Sequence, residues 1–334
     1  MGASDTASLP VHSAAQQQSP PPVVPVDFYA REEINRRRTF LLISGFLAFF
    51  LVLGLGLDTV WAGFLSPGAE PLPFVTLIAV GVASAMSLSG YFGGGRLVMA
   101  SLHAHPLDQQ NPEHRQLFNI VTEMALASGL PQPEIYVIPD SAPNALATGR
   151  DPRHAMLAVT EGLLNLLDRE EMQGVVAHEM SHIGNRDTLT MTVVAVLFGG
   201  AVMLADWGRR ALYFGRDRRR GNAMIFILVV LLVAVTPLLS RLLAMAVSRQ
   251  REYLADATAA QFTRNPLGLA SALEKIGAAT SPLHGATQGT AHLFISNPLR
   301  RRVDDRQGAL ADLLSTHPPL AQRVAILRSM AHAG

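Results

Sequence analysis

The N-terminal part of the chain contains two long uncharged apolar runs that are separated by a short loop. Residues 39–57 and 71–95 contain no Asp, Glu, Lys or Arg. As a helix, the first run alone spans about 28 Å, which matches the hydrocarbon core of a bilayer. The pattern predicts a transmembrane hairpin over residues 31–96, with spans at about 39–57 and 72–95. The alternative, a pair of buried core helices, fits runs of this length poorly.

The charges that flank this hairpin indicate its orientation. Arginines precede the first run and Arg96 ends the second, whereas the loop between them carries Asp58 and Glu70 and no basic residue. Since positive charge concentrates on the cytoplasmic side, the N-terminus and everything after Arg96 should lie in the cytoplasm. The expected location is the bacterial plasma (inner) membrane, with the lipid bilayer as a partner.

A second pair of uncharged runs gives a less consistent picture. Residues 188–205 and 221–240 are both long enough to span, the first only barely. Six arginines lie between them: Arg209, Arg210, Arg216, Arg218, Arg219 and Arg220. If both runs cross, these arginines lie outside, against the positive-inside rule. Either the first hairpin dominates the topology, or this second hairpin (188–240) lies in the interface or packs inside the protein.

Between the hairpins, residues 97–187 have the pattern of the first part of a soluble domain. A helix from about Pro112 to Ser128 should end at Gly129. Short strands are predicted at 133–138, 144–149 and 155–160, and helices are predicted at 161–167 and 169–185. An exposed sheet edge can bind a peptide by backbone pairing. We assign that role to Asn144, Ala145, Leu146, Ala147 and Thr148, although an ordinary core strand fits the pattern equally well.

The chemistry is concentrated in an HExxH motif formed by His178, Glu179 and His182. Asp168 and Glu171 form a capping box that starts a helix there. The two histidines are four residues apart, so both imidazoles leave one helix face and can bind one zinc ion. Glu179 points to one side and can reach a water at the metal, as a general base must. The alternative is an amphipathic helix with two surface histidines.

A third metal ligand is predicted in the sequence REYLAD, where Glu252 and Asp256 lie four residues apart. Glu252 is the candidate ligand, and Asp256 suits hydrogen bonding to a ligand histidine or an arginine. A solvated helix face is the alternative, but the neighbouring residues are apolar. From His182 to the apolar run that begins at residue 188 is about 9 Å of helix. The site should therefore lie at the membrane surface.

Composition narrows these possibilities. The chain has 334 residues, of which 49% are hydrophobic and 16% charged, and its mean hydropathy is +0.24. A net charge of +1 offers no argument for a nucleic-acid partner. The absence of cysteine excludes disulfides and Cys-bound zinc. Residues 1–30 have the composition of a disordered tail, and residues 241–334 complete the soluble domain.

Five stretches in order make the chain resemble the HtpX family of membrane zinc proteases, which is related to the CAAX prenyl endopeptidases. They are PNALATGRDPRHAMLAVTEGLL (143–164), the zinc helix with its following NRD (178–187), EYLAD (252–256), AHLFISNPL (291–299) and STHPPLAQR (315–323). The resemblance implies an α+β, mostly helical integral membrane protein. Its zincin-like metalloprotease domain would have a small sheet and two hydrophobic helical hairpins.

The resemblance also implies roles for single residues. It places one zinc ion on His178, His182 and Glu252, with Glu179 as catalytic acid and base. It places Asn144 and its neighbours on the substrate-binding edge strand. It adds His317 and Arg323 to the catalytic residues, the first assisting the oxyanion and the second pairing with Asp256. Leu146 departs from the family, where Phe is usual, and should alter a subsite.

The expected function is zinc-dependent hydrolysis of peptide bonds. Polypeptides, by analogy misfolded or damaged membrane proteins, are the expected substrates. Metzincins are excluded, because their pattern needs Gly and His where this chain has Asn185 and Thr188. A CAAX-type prenyl-protein endopeptidase would need more helices than this chain provides. An inactive membrane adaptor is the remaining alternative, and the intact Glu179 argues against it.

Overall fold

Two long apolar helices, α1 (Phe28–Val60) and α2 (Phe74–Ser101), form a hairpin. An acidic side chain near the end of α1 is hydrogen-bonded to the start of α2. The carboxylate of Asp58 accepts hydrogen bonds from the backbone N–H groups of Val75 at 3.0 Å and Thr76 at 2.9 Å. It thereby satisfies amides that the first turn of α2 cannot pair within its own helix. The computed structural model describes residues 28–60, 73–214, 249–279, 281–287, 289–299 and 318–333.

Both helices of this hairpin expose most of their apolar surface. Glu33–Thr59 and Phe74–Ser101 are long and apolar enough to cross a membrane, and only 28% and 22% of their most apolar windows is buried inside the protein. Phe40, Val52 and Ile78 are each 68% exposed. A continuous belt of such side chains is stable in lipid and unfavourable in water. The hairpin is therefore the part of an integral membrane protein that lies in the bilayer.

The hairpin helices extend beyond the predicted spans. α1 begins at Phe28, so residues 28–30 of the expected tail are helical. α2 continues past Arg96, which does not end the helix because a long arginine side chain can leave the lipid while its backbone stays helical. The rest of the expected tail, residues 1–27, and the loop residues 61–72 lie outside the described residues.

A small mixed sheet follows the hairpin in the chain. Its strands are β1 (His105–Pro106), β2 (Glu134–Ile138), β3 (Ala145–Gly149) and β4 (Ala155–Thr160), in the order β1-β2-β4-β3. β2 and β4 are parallel, and the other two pairings are antiparallel. All residues of β3 and β4 are buried. The three strands predicted from the sequence are present, and β3 is an edge strand of this sheet.

The helices that follow begin and end at residues with clear local signals. α3 (Pro112–Ser128) ends at Gly129, whose φ of 67° suits a residue without a side chain. α4 (Glu161–Leu166) leads into α5 (Arg169–Gly184). The start of α5 has the predicted capping box, in which Asp168 accepts from the N–H of Glu171 and the Glu171 side chain accepts in return.

Three helices from the C-terminal part of the chain complete the core around α5. They are α7 (Arg249–Thr263), α8 (Pro266–Ala278) and α9 (Leu320–Ala333). At Gly174 of α5, a Cβ atom would lie 2.7 Å from the backbone nitrogen of Leu269 on α8. Glycine therefore permits the close contact of these two helices. The resulting apolar core encloses most of α5, so His178, Glu179 and His182 lie in the interior of the protein.

α6 (Asp187–Phe214) follows α5 after a sharp bend of 86°, so the distance estimated for a straight helix between His182 and the apolar run does not apply. Arg186 makes the turn with a φ of 56°. The first half of α6 packs inside the protein, with Val193 at 0% and Leu197 at 5% exposure. The run predicted at 188–205 is thus largely shielded by α1, α2 and the sheet. Its predicted partner, residues 221–240, lies outside the described residues.

Candidate active site

Two imidazoles on one face of α5 meet in the interior of the protein. His178 and His182 lie one turn apart, with ring centroids 4.9 Å apart and Nε2 atoms 3.3 Å apart. Their exposed fractions are 0% and 5%. The four-residue spacing places both rings on the same side of the helix. Since burial of a polar ring without partners is costly, the surroundings of these rings must supply them.

Glu252 brings a carboxylate from the first turn of α7 to the same point. Its Oε2 lies 3.8 Å from His178 Nε2, and its Oε1 lies 3.7 Å from His182 Nε2. One ligand atom from each of the three residues lies within 4.8 Å of the others. The structure therefore brings together the three ligands that the sequence suggests, although Glu252 is far from the two histidines in the chain.

The outer nitrogens of both rings face further carboxylates. Asp256 Oδ1 lies 3.0 Å from His178 Nδ1, and Asp187 Oδ2 lies 3.4 Å from His182 Nδ1. A carboxylate accepts the Nδ1 proton, and this arrangement leaves a lone pair on each Nε2. Two lone pairs and a carboxylate oxygen that converge in a buried space repel each other unless a cation lies between them. Two imidazoles and one carboxylate are a donor set that suits a catalytic zinc ion.

Arg323 of α9 contacts both acidic residues of α7, Asp256 and Glu252. Its Nη2 donates to Asp256 Oδ1 at 2.7 Å and its Nε donates to Asp256 Oδ2 at 2.8 Å. Its Nη1 donates to the carbonyl of Ile295 at 3.1 Å and lies 3.6 Å from Glu252 Oε2. The side chain is fully buried. Arg323 therefore holds the residues that surround the metal site and does not face an open space.

The ionisation of the site is governed by burial and by these ion pairs. Burial lowers the pKa of His178 to about 4, against the opposing hydrogen bond with Asp256. Burial also disfavours charge on His182, but the hydrogen bond with Asp187 and the charge of Glu252 outweigh it and raise the pKa of His182. Burial disfavours charge on Asp256 too, yet the Arg323 guanidinium holds the pKa of that carboxyl below its usual value.

Glu179 lies beside the ligand cluster and is only 2% exposed. Burial raises the pKa of Glu179 to about 7, against the opposing charges of His182 and Arg323. A carboxyl group with a pKa near neutrality can both accept and return a proton at physiological pH. Glu179 thus has the location and the proton affinity of a general base.

The edge strand β3 passes directly beside Glu179. The backbone N–H of Ala147 faces the Glu179 carboxylate closely enough to lower its pKa, so the outer side of β3 faces the site. The carbonyl of Ala145 accepts from the N–H of Ile295 at 3.0 Å, and the N–H of Gly149 donates to Thr192 Oγ1 at 3.3 Å. Both ends of this edge therefore have partners within the chain in this conformation.

Comparison with known proteins now identifies the family. The family model for peptidase family M48 matches residues 111–331, well over half of the chain and all of the site described above. The chain belongs to peptidase family M48.

The curated relatives of this M48 peptidase are named protease HtpX homologs. The chain is 42% identical to one from Thermoanaerobacter pseudethanolicus over 309 residues, which cover 90% of this chain and 97% of that relative. It is 42% identical to one from Pyrococcus furiosus over 260 residues, which cover 76% of this chain and 86% of that relative. The resemblance to the HtpX family is confirmed.

A solved structure of Ste24p from S. mikatae also aligns with this M48 peptidase. The alignment has a TM-score of 0.45 and 20% identity, and it covers 91% of this chain and 67% of that chain. This similarity is too low to inform the site.

The polar side chains predicted for the edge strand of this M48 peptidase bond to neighbouring segments of the chain. Asn144 donates from its Nδ2 to the carbonyl of Ser296 at 2.9 Å, and Thr148 lies 2.6 Å from Thr192 through their hydroxyl oxygens. Both side chains fix β3 to neighbouring segments. Leu146 is fully buried and forms a bridge with Phe294, so its effect on a subsite stays a prediction. His317 lies outside the described residues.

The sequence motifs alone gave no role to two polar residues of this M48 peptidase that touch the site. Asp187 was visible only as the last residue of NRD, and its distance of five residues from His182 was the available signal. Asn35 lies before the first apolar run, where polar residues are common and give no sign of a functional role. It donates to Asp187 Oδ1 at 2.8 Å. Nothing in the local sequence connects these residues.

Proposed function

We propose that this chain is a membrane-bound, zinc-dependent endopeptidase of the HExxH gluzincin type. The observation that carries the proposal is the buried cluster of His178, His182 and Glu252 with Glu179 beside it. The three ligands would hold one zinc ion and leave a coordination position for water. When bound, zinc would polarise the scissile carbonyl and make that water acidic.

The residues of the chain supply the rest of the chemistry. Asp256 and Asp187 keep the Nδ1 proton of each histidine in place, so that each Nε2 faces the ligand space. Glu179 takes a proton during attack and gives it to the leaving amine, since its pKa near 7 allows both steps. Burial of the whole cluster keeps bulk water away and strengthens each of these interactions.

We place the substrate along β3, with its backbone paired to Asn144–Thr148 at the level of Ala147. An extended peptide added to this edge would pass Glu179, which contacts the Ala147 N–H. The Phe294–Ile295 segment occupies the start of the edge, so a long substrate must displace it or pair only beyond Leu146. A requirement for extended backbone favours unfolded polypeptides over folded ones.

The hairpin indicates the side of the membrane on which the site works. Exposed arginines Arg36, Arg37 and Arg38 lie at the end of α1 that contacts α6, whereas Asp58 lies at the far end. The positive-inside rule then places the site in the cytoplasm of a bacterial inner-membrane protein. A site at the membrane surface with an edge strand for extended chains suits misfolded or damaged membrane proteins as substrates.

Loss of the general base provides the test. The purified full-length protein, loaded with zinc in detergent or nanodiscs, should cleave an unfolded membrane-protein substrate at an internal peptide bond. Glu179→Gln keeps the side-chain volume but removes the base, and it should reduce the rate at least about 1,000-fold. Glu170→Gln on the exposed first turn of the same helix is the matched control and should cleave like wild type.

The outcomes separate the competing functions. Equal cleavage by wild type and Glu179→Gln would overturn the proposed mechanism. Cleavage of a prenylated tripeptide in preference to the unfolded substrate would favour a prenyl-protein endopeptidase. Binding of the unfolded substrate by wild type without any cleavage in the presence of zinc would favour an adaptor.

A further inference from the structure

A membrane helix reaches the metal site through one buried amide. Asn35 lies on α1, near the end of the membrane hairpin, and is only 5% exposed. Its Nδ2 donates to the backbone carbonyl of Asn185 at 3.0 Å and to Asp187 Oδ1 at 2.8 Å. These residues follow directly on α5, the helix that carries both histidines. The contact joins parts of the chain that are about 150 positions apart.

The chemistry of these acceptors fixes the orientation of the Asn35 amide. Both acceptors are oxygens, and an amide NH₂ group has two N–H donors to offer. If the amide were reversed, its oxygen would face a carbonyl and a carboxylate in a buried space, where nothing would offset the repulsion. Both donors are therefore used, one on the last turn of α5 and one on the carboxylate that begins α6.

The second of these acceptors continues to the metal ligand. Asp187 Oδ1 accepts from Asn35, and Asp187 Oδ2 lies 3.4 Å from His182 Nδ1. Asp187 is 2% exposed, and Arg251 approaches Oδ1 at 3.7 Å. With one oxygen held by α1, the carboxylate can rotate little, and its other oxygen stays directed at the ring of His182.

The 86° bend between α5 and α6 makes this support necessary. The turn at Arg186 has a φ of 56°, which is unfavourable for a residue with a side chain. Asp187 must nevertheless return to a position beside His182. The Asn35 amide bonds both sides of this turn, because it contacts the carbonyl of Asn185 before it and the carboxylate of Asp187 after it.

We propose that Asn35 is a positioning residue for the metal centre, which acts through Asp187 to fix the ring of His182. The membrane hairpin is then a structural part of the metal site as well as an anchor. The proposal rests on the assignment of His182 as a metal ligand in the proposed function. Partners of ligand histidines typically change metal affinity about 10- to 100-fold when they are removed.

The test measures metal binding and not proteolysis. Full-length protein that carries Glu179→Gln, to prevent self-cleavage, is loaded with Zn²⁺ in nanodiscs, and release of zinc to a chromogenic chelator is timed. Asn35→Ala should release zinc about 10- to 100-fold faster than the parent. Replacement of zinc by Co²⁺ adds a spectroscopic measurement, because a rotated His182 ring should change the visible absorption bands of the bound cobalt.

Thr39→Val is the matched control for general damage to the helix contact. Thr39 lies one turn along α1, is 2% exposed, and shares a hydrogen bond of 2.8 Å with Thr190 of α6. The Thr39→Val substitution therefore removes one buried hydrogen bond between α1 and α6 at a residue that does not contact Asp187. Thr39→Val should change zinc release less than about threefold and leave the cobalt spectrum unchanged.

A double variant tests whether Asn35 acts through Asp187. If it does, zinc release from Asn35→Ala with Asp187→Asn should be no faster than from Asp187→Asn alone. Multiplied effects of the two substitutions would overturn the proposal, as would equal release rates for Asn35→Ala and Thr39→Val. If Asn35→Ala does not fold, the isosteric Asn35→Asp is compared with Thr39→Val by the same criteria, and an unchanged cobalt spectrum overturns the proposal.

These measurements are independent of the cleavage assay that tests the proposed function. Failure of wild-type protein to cleave any polypeptide would overturn the proposed activity and leave the zinc-release comparison intact. Failure of the zinc-release comparison would remove the role of Asn35 and leave the cleavage assay unaffected.

Discussion

Arg323 and Asp256 form a buried ion pair with two parallel hydrogen bonds of 2.7 and 2.8 Å. Both residues are at most 1% exposed. The geometry matches the fork of a guanidinium to the two oxygens of a carboxylate. Because Asp256 also faces His178, this pair connects α9 to the HExxH helix α5.

Removal of Arg323 should destabilise the protein strongly. Arg323→Ala would leave the Asp256 carboxylate buried without its counter-ion, and such a loss typically costs about 3–5 kcal/mol. Arg328→Ala on the same helix is the control. Its ion pair with Glu274 is exposed, with side chains 57% and 44% accessible, and should contribute less than about 1 kcal/mol. Thermal unfolding of the full-length protein in detergent measures both, and equal losses would contradict a structural role for the buried pair.

The pKa of Glu179 predicts a pH-dependent gain from removing its charge. Burial raises this pKa to about 7 in the metal-free protein, so the folded state binds a proton that the unfolded state has released. The contribution of Glu179 to the stability of wild type should therefore fall between about pH 4.5 and pH 7 and level off above. Glu179→Gln removes this dependence. The free energy of unfolding of Glu179→Gln should exceed that of wild type by an amount on the order of 3 kcal/mol at pH 8 and by little at pH 4.5.

Unfolding of the chelator-treated protein at several pH values checks this prediction. The difference between wild type and Glu179→Gln is the informative quantity, because titration of the groups that do not interact with Glu179 cancels in it. Glu170→Gln, which replaces an exposed glutamate of the same helix, should show no such trend. A difference that is constant with pH, or that grows towards low pH, would refute the assigned direction.

Much of the fold follows from signals that are local in sequence. The capping box at Asp168 and the glycine at position 129 set the ends of helices where the structure has them. The four-residue spacing of His178 and His182 likewise places both rings together, since helix geometry alone decides it. Glu252 was a candidate ligand because of its residue chemistry and the family resemblance, whereas its contact with the histidines is set by packing of α7 on α5.

The features that local signals did not predict depend on distant contacts or on unusual backbone. Gly184 and Asn185 indicate where α5 ends, but no glycine stands at Arg186, where the backbone turns with a φ of 56°, so the sequence did not predict the direction of α6. The contact of Asn35 with Asp187 joins segments that only the folded hairpin brings together. Partial occupation of the β3 edge by Phe294 is a single isolated bridge, for which no sequence periodicity exists.

The orientation in the membrane can be tested because the natural chain contains no cysteine. Gln110 is exposed on the soluble domain, and Thr59 is exposed at the far end of α1. In intact cells, a membrane-impermeant maleimide should label Thr59→Cys and should label Gln110→Cys only after the membrane is permeabilised. The reverse pattern would place the site outside the cytoplasm.

The different roles of Glu252 and Asp256 predict different losses of metal. Glu252 offers its carboxylate oxygens at 3.7 and 3.8 Å from the two Nε2 atoms, whereas Asp256 faces the outer nitrogen of His178 and pairs with Arg323. Glu252→Gln should therefore retain less than about a tenth of the zinc held by wild type after dialysis. Asp256→Asn should retain zinc but release it about 10- to 100-fold faster.

Metal analysis and unfolding together check this distinction. Zinc should raise the unfolding temperature of wild type, because a ligand that binds only the folded state adds about 4 kcal/mol at 1,000 times its Kd. The same addition should leave Glu252→Gln almost unchanged, whereas the exposed control Glu274→Gln should respond like wild type. Full zinc content in Glu252→Gln, with a normal response to added zinc, would show that the third ligand is another residue. The geometry around His178 and His182 would then need a different donor to complete the site.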